Sequence, residues 1–222
     1  DTDRSRGLGD VYKRQVYICG ARRAKISGVI SMIFFYYLLY ILVWPLFELL
    51  YHPRVLGREN IPKSGAVIIA GNHKSNLDCI LIASCLWRQV HFMAKDELFR
   101  GGFRYFFRAL GTIPVNRRIR DASALSEART ILDKGGVIGI FPEGRFNRTE
   151  ETVLPFKPGT ARMAARSRAM IVPFAIKGDY NIIGRRVEIE FYPAINAAGR
   201  DAVSIGKELE NVVREGLERG RK

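Results

Sequence analysis

The sequence predicts an α/β protein in which a mixed, mostly parallel sheet is flanked by helices and preceded by an N-terminal membrane-associated helical hairpin or span. Two observations carry this prediction. After Pro53, short apolar runs alternate with longer amphipathic segments, which is the order of strands and helices in a layered α/β domain. Before that point, residues 26–50 form an apolar run that contains one ionisable side chain, Glu48.

The predicted strands are short and rich in apolar residues. The first, at 66–72, begins with an unbroken apolar run, as expected of a strand buried on both faces. The last alternates polar and apolar residues and suits an edge or near-edge strand. Strands are predicted at 66–72, 90–95, 112–116, 137–142, 170–176 and 186–192.

Capping residues and glycine stops place the helices between these strands. Ser75 or Asn76 is expected to cap the helix after the first strand. Asp121 or Ser123 is expected to open a later helix that stops before a Gly-Gly pair. Helices are predicted at 77–87, 97–109, 121–132, in a segment that ends at 167, and at 202–219.

The composition describes one globular domain with an anchor. The 222 residues carry a net charge of +14, and 47% of them are hydrophobic, which excludes a disordered chain, a collagen-like repeat and a disulfide-stapled scaffold. Cys19, Cys79 and Cys85 lack metal-binding spacing and indicate a reducing compartment. The positive charge predicts an anionic partner, which is nucleic acid, an anionic membrane surface or a phosphorylated substrate.

The charge is distributed unevenly and divides the chain into three parts. A basic N-terminal segment, 1–25, has a net charge of +4, a membrane anchor is assigned to 26–52, and a globular domain is assigned to 53–222. Residues 1–15 show neither an apolar period nor helix caps and resemble translated sequencing-adapter sequence, so we interpret them as non-native. A genuine disordered basic arm is the alternative.

The apolar run from Ile26 to Leu50 indicates membrane association. As a helix it would be about 38 Å long, which exceeds a hydrocarbon core of about 30 Å. Pro45 interrupts the run, and basic residues flank both of its ends, so the positive-inside rule favours neither orientation. A hairpin that enters one leaflet and returns explains both features. A single true span and the buried helix of a soluble protein are the alternatives.

Residues 72–78 read Asn-His-Lys-Ser-Asn-Leu-Asp and lie where α/β folds place their sites, between a buried strand and a helix. Within a regular helix His73 and Asp78 would point about 140° apart. If His73 lies in the turn and Asp78 in the first helical turn, the carboxylate can fix the imidazole tautomer and leave the other nitrogen free to deprotonate a hydroxyl. A capping segment with an incidental histidine is the alternative.

Two further segments are basic. Residues 141–148, Phe-Pro-Glu-Gly-Arg-Phe-Asn-Arg, also follow a buried strand, and their Glu-Gly turn and arginines suit a phosphate or carboxylate, with a solvated basic loop as the alternative. In the predicted helix at 97–109, Arg100, Arg104 and Arg108 share one face, with aromatic residues between them. That face suits a membrane surface or the solvated side of a core helix.

Four sequence blocks, in this order, resemble those of the glycerolipid acyltransferase family, and within it the 1-acylglycerol-3-phosphate acyltransferases. Each block is weak alone, and their order makes the resemblance specific. The blocks are NHKSNLD at 72–78; MAKDELF and GTIPVNR at 93–99 and 111–117; FPEGRFNR and FKPGTARMA at 141–148 and 156–164; and IVPFAI at 171–176.

The resemblance assigns roles to individual residues. It implies that His73 is the general base and that Asp78 is its partner. It also implies a set of residues that bind the glycerol-phosphate end of the acceptor: Glu143, Gly144, Arg117 and, as a further contributor, Lys95.

The chain departs from the family pattern in two places. The usual third block reads E-G-T-R, whereas here Arg145 and Phe146 follow the glycine, so the phosphate-binding role passes to Arg145 or to Arg148. The second block has Asn116 where aspartate is frequent, which removes a negative charge beside Arg117.

The resemblance implies a 1-acylglycerol-3-phosphate O-acyltransferase of bacterial phospholipid synthesis. It would transfer an acyl chain from acyl-CoA or acyl carrier protein to the sn-2 hydroxyl of lysophosphatidate, forming phosphatidic acid, with no metal and no cofactor besides that co-substrate. Its partners would be these substrates and anionic membrane lipids, and not nucleic acid, at the cytoplasmic face of the cell membrane. The alternatives are another lysophospholipid or glycerol-phosphate acceptor and, more remotely, a non-catalytic basic membrane-binding protein.

Overall fold

The computed structural model describes residues 31–116, 119, 121–181 and 186–219. The predictions for residues 1–25, including the origin of residues 1–15, and for the start of the anchor fall outside the described residues. The helices are α1 (Ser31–Tyr51), α2 (Asp78–Ser84), α3 (Phe103–Ala109), α4 (Ala122–Asp133), α5 (Gly159–Ser167) and α6 (Ala202–Arg219). The strands are β1 (Arg54–Leu56), β2 (Val67–Gly71), β3 (Val90–Lys95), β4 (Ile113–Val115), β5 (Val137–Ile140), β6 (Met170–Lys177), β7 (Glu188–Phe191) and β8 (Ile195–Asn196).

The strands form one mixed, mostly parallel sheet, as the sequence predicts. Its order is β1-β7-β6-β2-β5-β3-β4, and β8 pairs with β6 at the side of this path. The five strands β6, β2, β5, β3 and β4, adjacent in this order, run parallel to one another. The strands β7 and β8 are antiparallel to β6. The alternating strand β7 is next to the edge, as predicted. The strands β1 and β8 were not predicted, because three and two residues are too few to show a period.

Helices cover both faces of the sheet, so the central strands are buried on both sides. Alternate residues of β2 point to opposite faces. Ile68 and Ala70 belong to a core cluster with residues of α4, α5 and α6, whereas Val67 and Ile69 belong to a second cluster with residues of α2 and with Phe47 of α1. All four side chains in β2 are fully buried, which explains why the β2 sequence is apolar at every position.

The helix α1 lies against the domain along one side. The side chain of Tyr36 is buried there, and the Tyr37 and Tyr40 hydroxyls donate to the backbone carbonyls of Trp87 and Ser84. The other side of α1 carries exposed apolar residues, and the helix is long and apolar enough to cross a membrane, with a mean hydropathy of 1.9. The exposed side chains include Phe34, Leu38, Ile41, Leu42, Leu46 and Leu49.

The hairpin expected from the break at Pro45 is not found in residues 31–51, where the chain is one continuous helix. A proline inside a helix removes one N–H donor, here toward the carbonyl of Ile41 one turn earlier. The remaining hydrogen bonds of a long apolar helix, together with its packing on the domain, tolerate that loss. A single helix over these residues is the form that both alternatives, a true span and the buried helix of a soluble protein, require.

Two predicted helices are shorter in the structure. The helix predicted at 77–87 begins at Asp78 and ends at Ser84, where a tyrosine hydroxyl of α1 satisfies a terminal carbonyl. Neither Ser75 nor Asn76 is its N-cap; that residue is Leu77, whose N–H is accepted by the Ser75 hydroxyl.

The basic helix predicted at 97–109 is divided into a 3₁₀ turn, Asp96–Phe99, and α3. Gly101 separates them with a φ of +82°, a conformation that favours glycine and ends a helix. Arg100 consequently lies outside α3 and pairs with Asp96, so the predicted face of three arginines on one helix is wrong. The alternative of a core helix is also wrong, because α3 contains no buried residue.

The fold brings the ends of three central strands together. The strands β6, β2 and β5 are parallel neighbours, so the segments that follow them meet at one edge of the sheet. Gly71, the last residue of β2, permits a close approach to β6, because a methyl group at its Cα would lie 2.1 Å from the carbonyl oxygen of Phe174. His73 lies two residues after Gly71 in the chain.

Candidate active site

His73 and Asp78 are in direct contact, as the sequence predicts for a histidine in the turn and an aspartate in the first helical turn. The Nδ1 atom of His73 lies 2.8 Å from Oδ2 of Asp78. The Asp78 side chain is completely buried, whereas 15% of the His73 side chain is exposed. With the carboxylate accepting the Nδ1–H, the Nε2 atom is left unprotonated and able to act as a base.

The buried Asp78 carboxylate is satisfied by donors from two chain segments, the turn at residues 73–75 and the segment that follows β6. Its Oδ2 atom also accepts the backbone N–H groups of Lys74 at 2.7 Å and Ser75 at 2.9 Å. Its Oδ1 atom accepts the hydroxyl of Tyr180 at 2.6 Å, from the segment that follows β6. Because a buried charge without partners is costly, these donors are a condition for placing the carboxylate here.

The ring of His73 is held between two phenylalanines of the 141–148 segment. It stacks on Phe141 with ring centroids 3.7 Å apart and an interplanar angle of 11°, and it contacts Phe146 at 4.4 Å. The backbone of His73 is also held, because its carbonyl accepts the N–H of Asn147. Packing on both faces restricts ring rotation, which complements the hydrogen bond to Asp78.

Glu143 braces the same turn. One carboxylate oxygen accepts the backbone N–H of His73 and the other accepts that of Leu154, each at 3.1 Å. The side chain is 3% exposed, and burial raises the pKa of Glu143 against the opposing effect of these two donors. Glu143, expected to bind the glycerol-phosphate end, thus already uses both oxygens to join two backbone segments.

Gly144 makes the turn after Glu143 with a φ of +70°. A methyl group at this position would lie 2.7 Å from Nζ of Lys157, so the lysine side chain lies against the glycine. Lys157 belongs to the FKPGTARMA block, and its backbone N–H donates to the carbonyl of Pro142. The structure thereby adds a cation to the segment, one whose position no local sequence pattern predicts.

Arg145 and Arg148 are both exposed on the open side of this segment. Together they line an open groove of about 290 Å³. The remaining lining residues are Phe146, Thr149 and Leu154, and Phe146 also contacts His73, so the arginines and the imidazole flank the same side chain. The residue that stands in place of the usual arginine of the third block therefore packs against the histidine.

Of the two other predicted phosphate-binding residues, Lys95 is the one within the part of the chain that the structure describes. Lys95 is exposed at the end of β3, on the far side of β5 from β2. Arg117 lies outside the described residues, two positions beyond the end of β4. The structure therefore brings together His73, Asp78, Glu143, Gly144, Arg145 and Arg148, and leaves Lys95 one strand farther along the same edge.

Burial disfavours the reactive thiolate form of the two cysteines near the site. Burial raises the pKa of both Cys79 and Cys85 to about 12, so both thiols are protonated at neutral pH. The Cys85 thiol also donates to the carbonyl of Leu81 within α2. Over the described ranges, three or more His, Cys, Asp or Glu side chains nowhere approach one another closely enough to hold a metal ion.

The amino-acid sequence that forms this site matches a known protein family. A family model described as Acyltransferase matches residues 52–177, more than half of the chain. The chain belongs to the acyltransferase family. The resemblance expected from the four sequence blocks is confirmed.

Several acyltransferases resemble the chain along much of its length. It is 34% identical over 127 residues to the 1-acyl-sn-glycerol-3-phosphate acyltransferase of Bacillus subtilis, covering 56% of this chain and 62% of the relative. It is 34% identical over 153 residues to that of Borreliella burgdorferi, covering 64% and 61%. The chain thus spans about three fifths of the length of these two relatives.

A solved acyltransferase shares the fold. The crystal structure of the 1-acyl-sn-glycerophosphate (LPA) acyltransferase PlsC from Thermotoga maritima superposes with a TM-score of 0.65 at 30% identity, covering 76% of this chain and 72% of that one. Tyr180 and its contact with Asp78 lie beyond the residues matched by the family model.

We expect Glu143→Gln to lower kcat about tenfold while the KM for the acyl acceptor stays within about twofold. An amide has one acceptor oxygen, so one of the two backbone N–H groups would face an NH₂ group and the His73 turn would loosen. Unfolding in denaturant should show a loss of about 1–3 kcal/mol. Glu151→Gln, on the exposed part of the same segment, is the control. A raised KM with an unchanged kcat would instead make Glu143 a substrate ligand.

Proposed function

We propose that the protein transfers an acyl chain from an acyl thioester to the sn-2 hydroxyl of 1-acylglycerol 3-phosphate, forming phosphatidic acid. The observation that carries the proposal is the His73–Asp78 pair, placed beside an arginine-lined groove. An imidazole with a free nitrogen suits a hydroxyl acceptor, and the arginines suit a phosphate on the same acceptor. The names of the Bacillus subtilis and Borreliella burgdorferi relatives specify this acceptor.

In the proposed reaction His73 moves one proton. Its Nε2 atom accepts the hydroxyl proton while the hydroxyl oxygen attacks the thioester carbonyl carbon, and Asp78 stabilises the resulting imidazolium. The carbon–sulfur bond then breaks, the ester forms, and the departing thiolate takes the proton from the imidazolium. The protonated state of Cys79 and Cys85 supports this single displacement over an acyl-enzyme.

The acceptor phosphate is assigned to Arg145 and Arg148. Both line the groove together with Phe146, which itself contacts the His73 ring, so one side chain joins the groove to the proposed base. Guanidinium groups bind phosphate through paired charge-assisted hydrogen bonds. Lys157, whose side chain lies against Gly144, adds positive charge to the same turn. Arg117 and Lys95 remain candidates for the same role.

The anchor helix is proposed to lie in one leaflet of the membrane. Contacts between α1 and the domain extend from Phe35 to Tyr51, about 24 Å of helix at about 1.5 Å per residue. Packing of the helix on a polar domain over that length favours a position in one leaflet over a crossing of the hydrocarbon core of about 30 Å. Its exposed apolar side is left for lipid. The basic residues that follow, among them Arg54 and Arg58, favour the cytoplasmic face.

The helix α3 extends this membrane surface. Phe106 contacts Phe35 of α1 at 6.3 Å, so α3 lies beside the anchor. Phe103 and Tyr105 are each 71% exposed, and Arg104 lies over the Tyr105 ring. Exposed aromatic rings with arginines beside an apolar helix suit the lipid head-group region, where anionic lipids meet the positive charge.

The proposed function is tested by assaying phosphatidic acid formation with wild-type protein in lipid vesicles, using oleoyl-CoA and an oleoyl carrier protein as alternative donors. We expect His73→Ala to lower kcat at least about a thousandfold, the upper range for removal of a general base. His52→Asn, at an exposed histidine just beyond α1, is the matched control. A His73→Ala variant with full turnover would contradict the base assignment. A panel of other lysophospholipids identifies the acceptor.

Arg145→Ala and Arg148→Ala should each raise the KM for lysophosphatidate about tenfold, because each removes a charged partner of the phosphate. The KM for the acyl donor should change less than about twofold. Arg166→Ala, which removes an exposed arginine from α5, controls for the loss of net charge. A rise in the donor KM alone would reassign these arginines to the phosphates of the donor.

A further inference from the structure

Tyr180 is outside the sequence blocks that carry the family resemblance, yet it contacts the centre of the site. It follows β6, three residues after the strand ends at Lys177. Its hydroxyl donates to Oδ1 of Asp78 at 2.6 Å, while the other oxygen of that carboxylate holds His73. The chain thus forms a series of hydrogen bonds from Tyr180 through Asp78 to His73.

The ring of Tyr180 is held by the anchor helix. Tyr51 meets it edge-on with ring centroids 5.8 Å apart, and Phe47 contacts it at 6.2 Å. Phe47 is itself buried in the core cluster on this face of the sheet. The last turns of α1 therefore fix the position from which the Tyr180 hydroxyl reaches Asp78.

The segment before Tyr180 is tied to the same turn. The Lys74 ammonium donates to the carbonyl of Gly178 and to Oδ1 of Asp179, the latter at 3.0 Å. Lys74 also donates its backbone N–H to Asp78. Residues 178–180 and the His73–Asp78 turn are consequently joined by a lysine and a tyrosine, which gives the Tyr180 contact a defined geometry.

We propose that Tyr180 is a positioning residue for catalysis, one that holds the Asp78 carboxylate against His73 and is itself held by α1. This inference rests on the proposed function, since it gives His73 the role of base. The hydroxyl remains a donor at physiological pH, because burial and the adjacent carboxylate raise the pKa of Tyr180 well above its ordinary value. Through this residue the membrane anchor and the catalytic pair are packed as one unit.

The effect of the hydroxyl on His73 has a definite sign. The Tyr180 hydroxyl, a donor at Oδ1, stabilises the negative charge of Asp78. Without this donor the carboxylate interacts more strongly with the Nδ1–H of His73, which favours the imidazolium. Tyr180→Phe should therefore raise the pKa of His73. The other groups that face the pair are unchanged in this variant: Glu143 after β5, Cys79 and Cys85 at α2, Tyr51 of α1, and Lys74 with Asp179.

The experiment measures the titration of His73 without relying on turnover. Diethyl pyrocarbonate modifies unprotonated imidazole, and mass spectrometry of the His73 peptide gives its modification rate against pH in the full-length protein in vesicles. We expect the midpoint to rise by about half a pH unit or more in Tyr180→Phe. Tyr192→Phe is the matched control, because the Tyr192 hydroxyl also donates to a carboxylate, that of Glu190, at 2.7 Å.

Kinetics give the second readout. In Tyr180→Phe the acid limb of the pH profile of kcat/KM should move to higher pH, and its midpoint should match that of the His73 modification titration. The kcat should fall about tenfold, while the KM for lysophosphatidate should stay within about twofold of the wild-type value. Combined with Asp78→Asn, the substitution should add no further loss, because the carboxylate through which it acts is gone. An additive loss would overturn the inference.

Each outcome separates the two proposals. Coincident His73 titrations in wild type and Tyr180→Phe overturn the positioning role, whatever the protein acylates. Absence of turnover in wild type with a shifted titration contradicts the proposed function and leaves the tyrosine effect established. Tyr51→Ala tests the contribution of α1, and we expect a smaller shift in the same direction. An unchanged midpoint in that variant would overturn the link to the anchor helix.

Discussion

The structure depends on one buried carboxylate. Asp78 is completely buried, and a charge in that position is tolerated only if hydrogen-bond donors surround it. The donors come from the turn after β2, from the imidazole of His73 and from Tyr180 after β6. The need to satisfy Asp78 therefore joins two segments about a hundred residues apart in sequence.

A second carboxylate repeats the arrangement on the other side of His73. Glu143 joins the backbone of that residue to the segment that ends at Leu154, while Phe141 and Phe146 enclose the ring. Thus the segments that follow three neighbouring strands meet at the site: the one after β2 carries His73 and Asp78, the one after β5 holds His73 directly, and the one after β6 supplies Tyr180, which holds Asp78. A base held in this way loses little entropy on meeting its substrate, which is the advantage of building a site on the rigid centre of a sheet.

Local patterns predicted most of the fold and half of the site. Apolar runs located the central strands, because their pattern depends on neighbouring residues in the chain. The contact of His73 with Asp78 was expected only for a histidine in the turn and an aspartate in the first helical turn, which is the arrangement found. Contacts that depend on tertiary packing were missed: Tyr180 belongs to no motif, and the contact of Phe146 with His73 is made across two loops. The preferred hairpin and the uninterrupted basic helix were wrong, since Pro45 is tolerated in a packed apolar helix and Gly101 is left-handed.

The central claim is that the charge of Asp78 makes His73 a base. The most direct measurement is the kcat for lysophosphatidate acylation by Asp78→Asn, which keeps the size of the side chain but offers an amide in place of the carboxylate. The account predicts a fall of at least about a thousandfold, because the imidazole loses both its fixed tautomer and the partner of its imidazolium, with a KM for lysophosphatidate within about threefold of wild type. A folded variant that retains more than about a tenth of the wild-type kcat would contradict it.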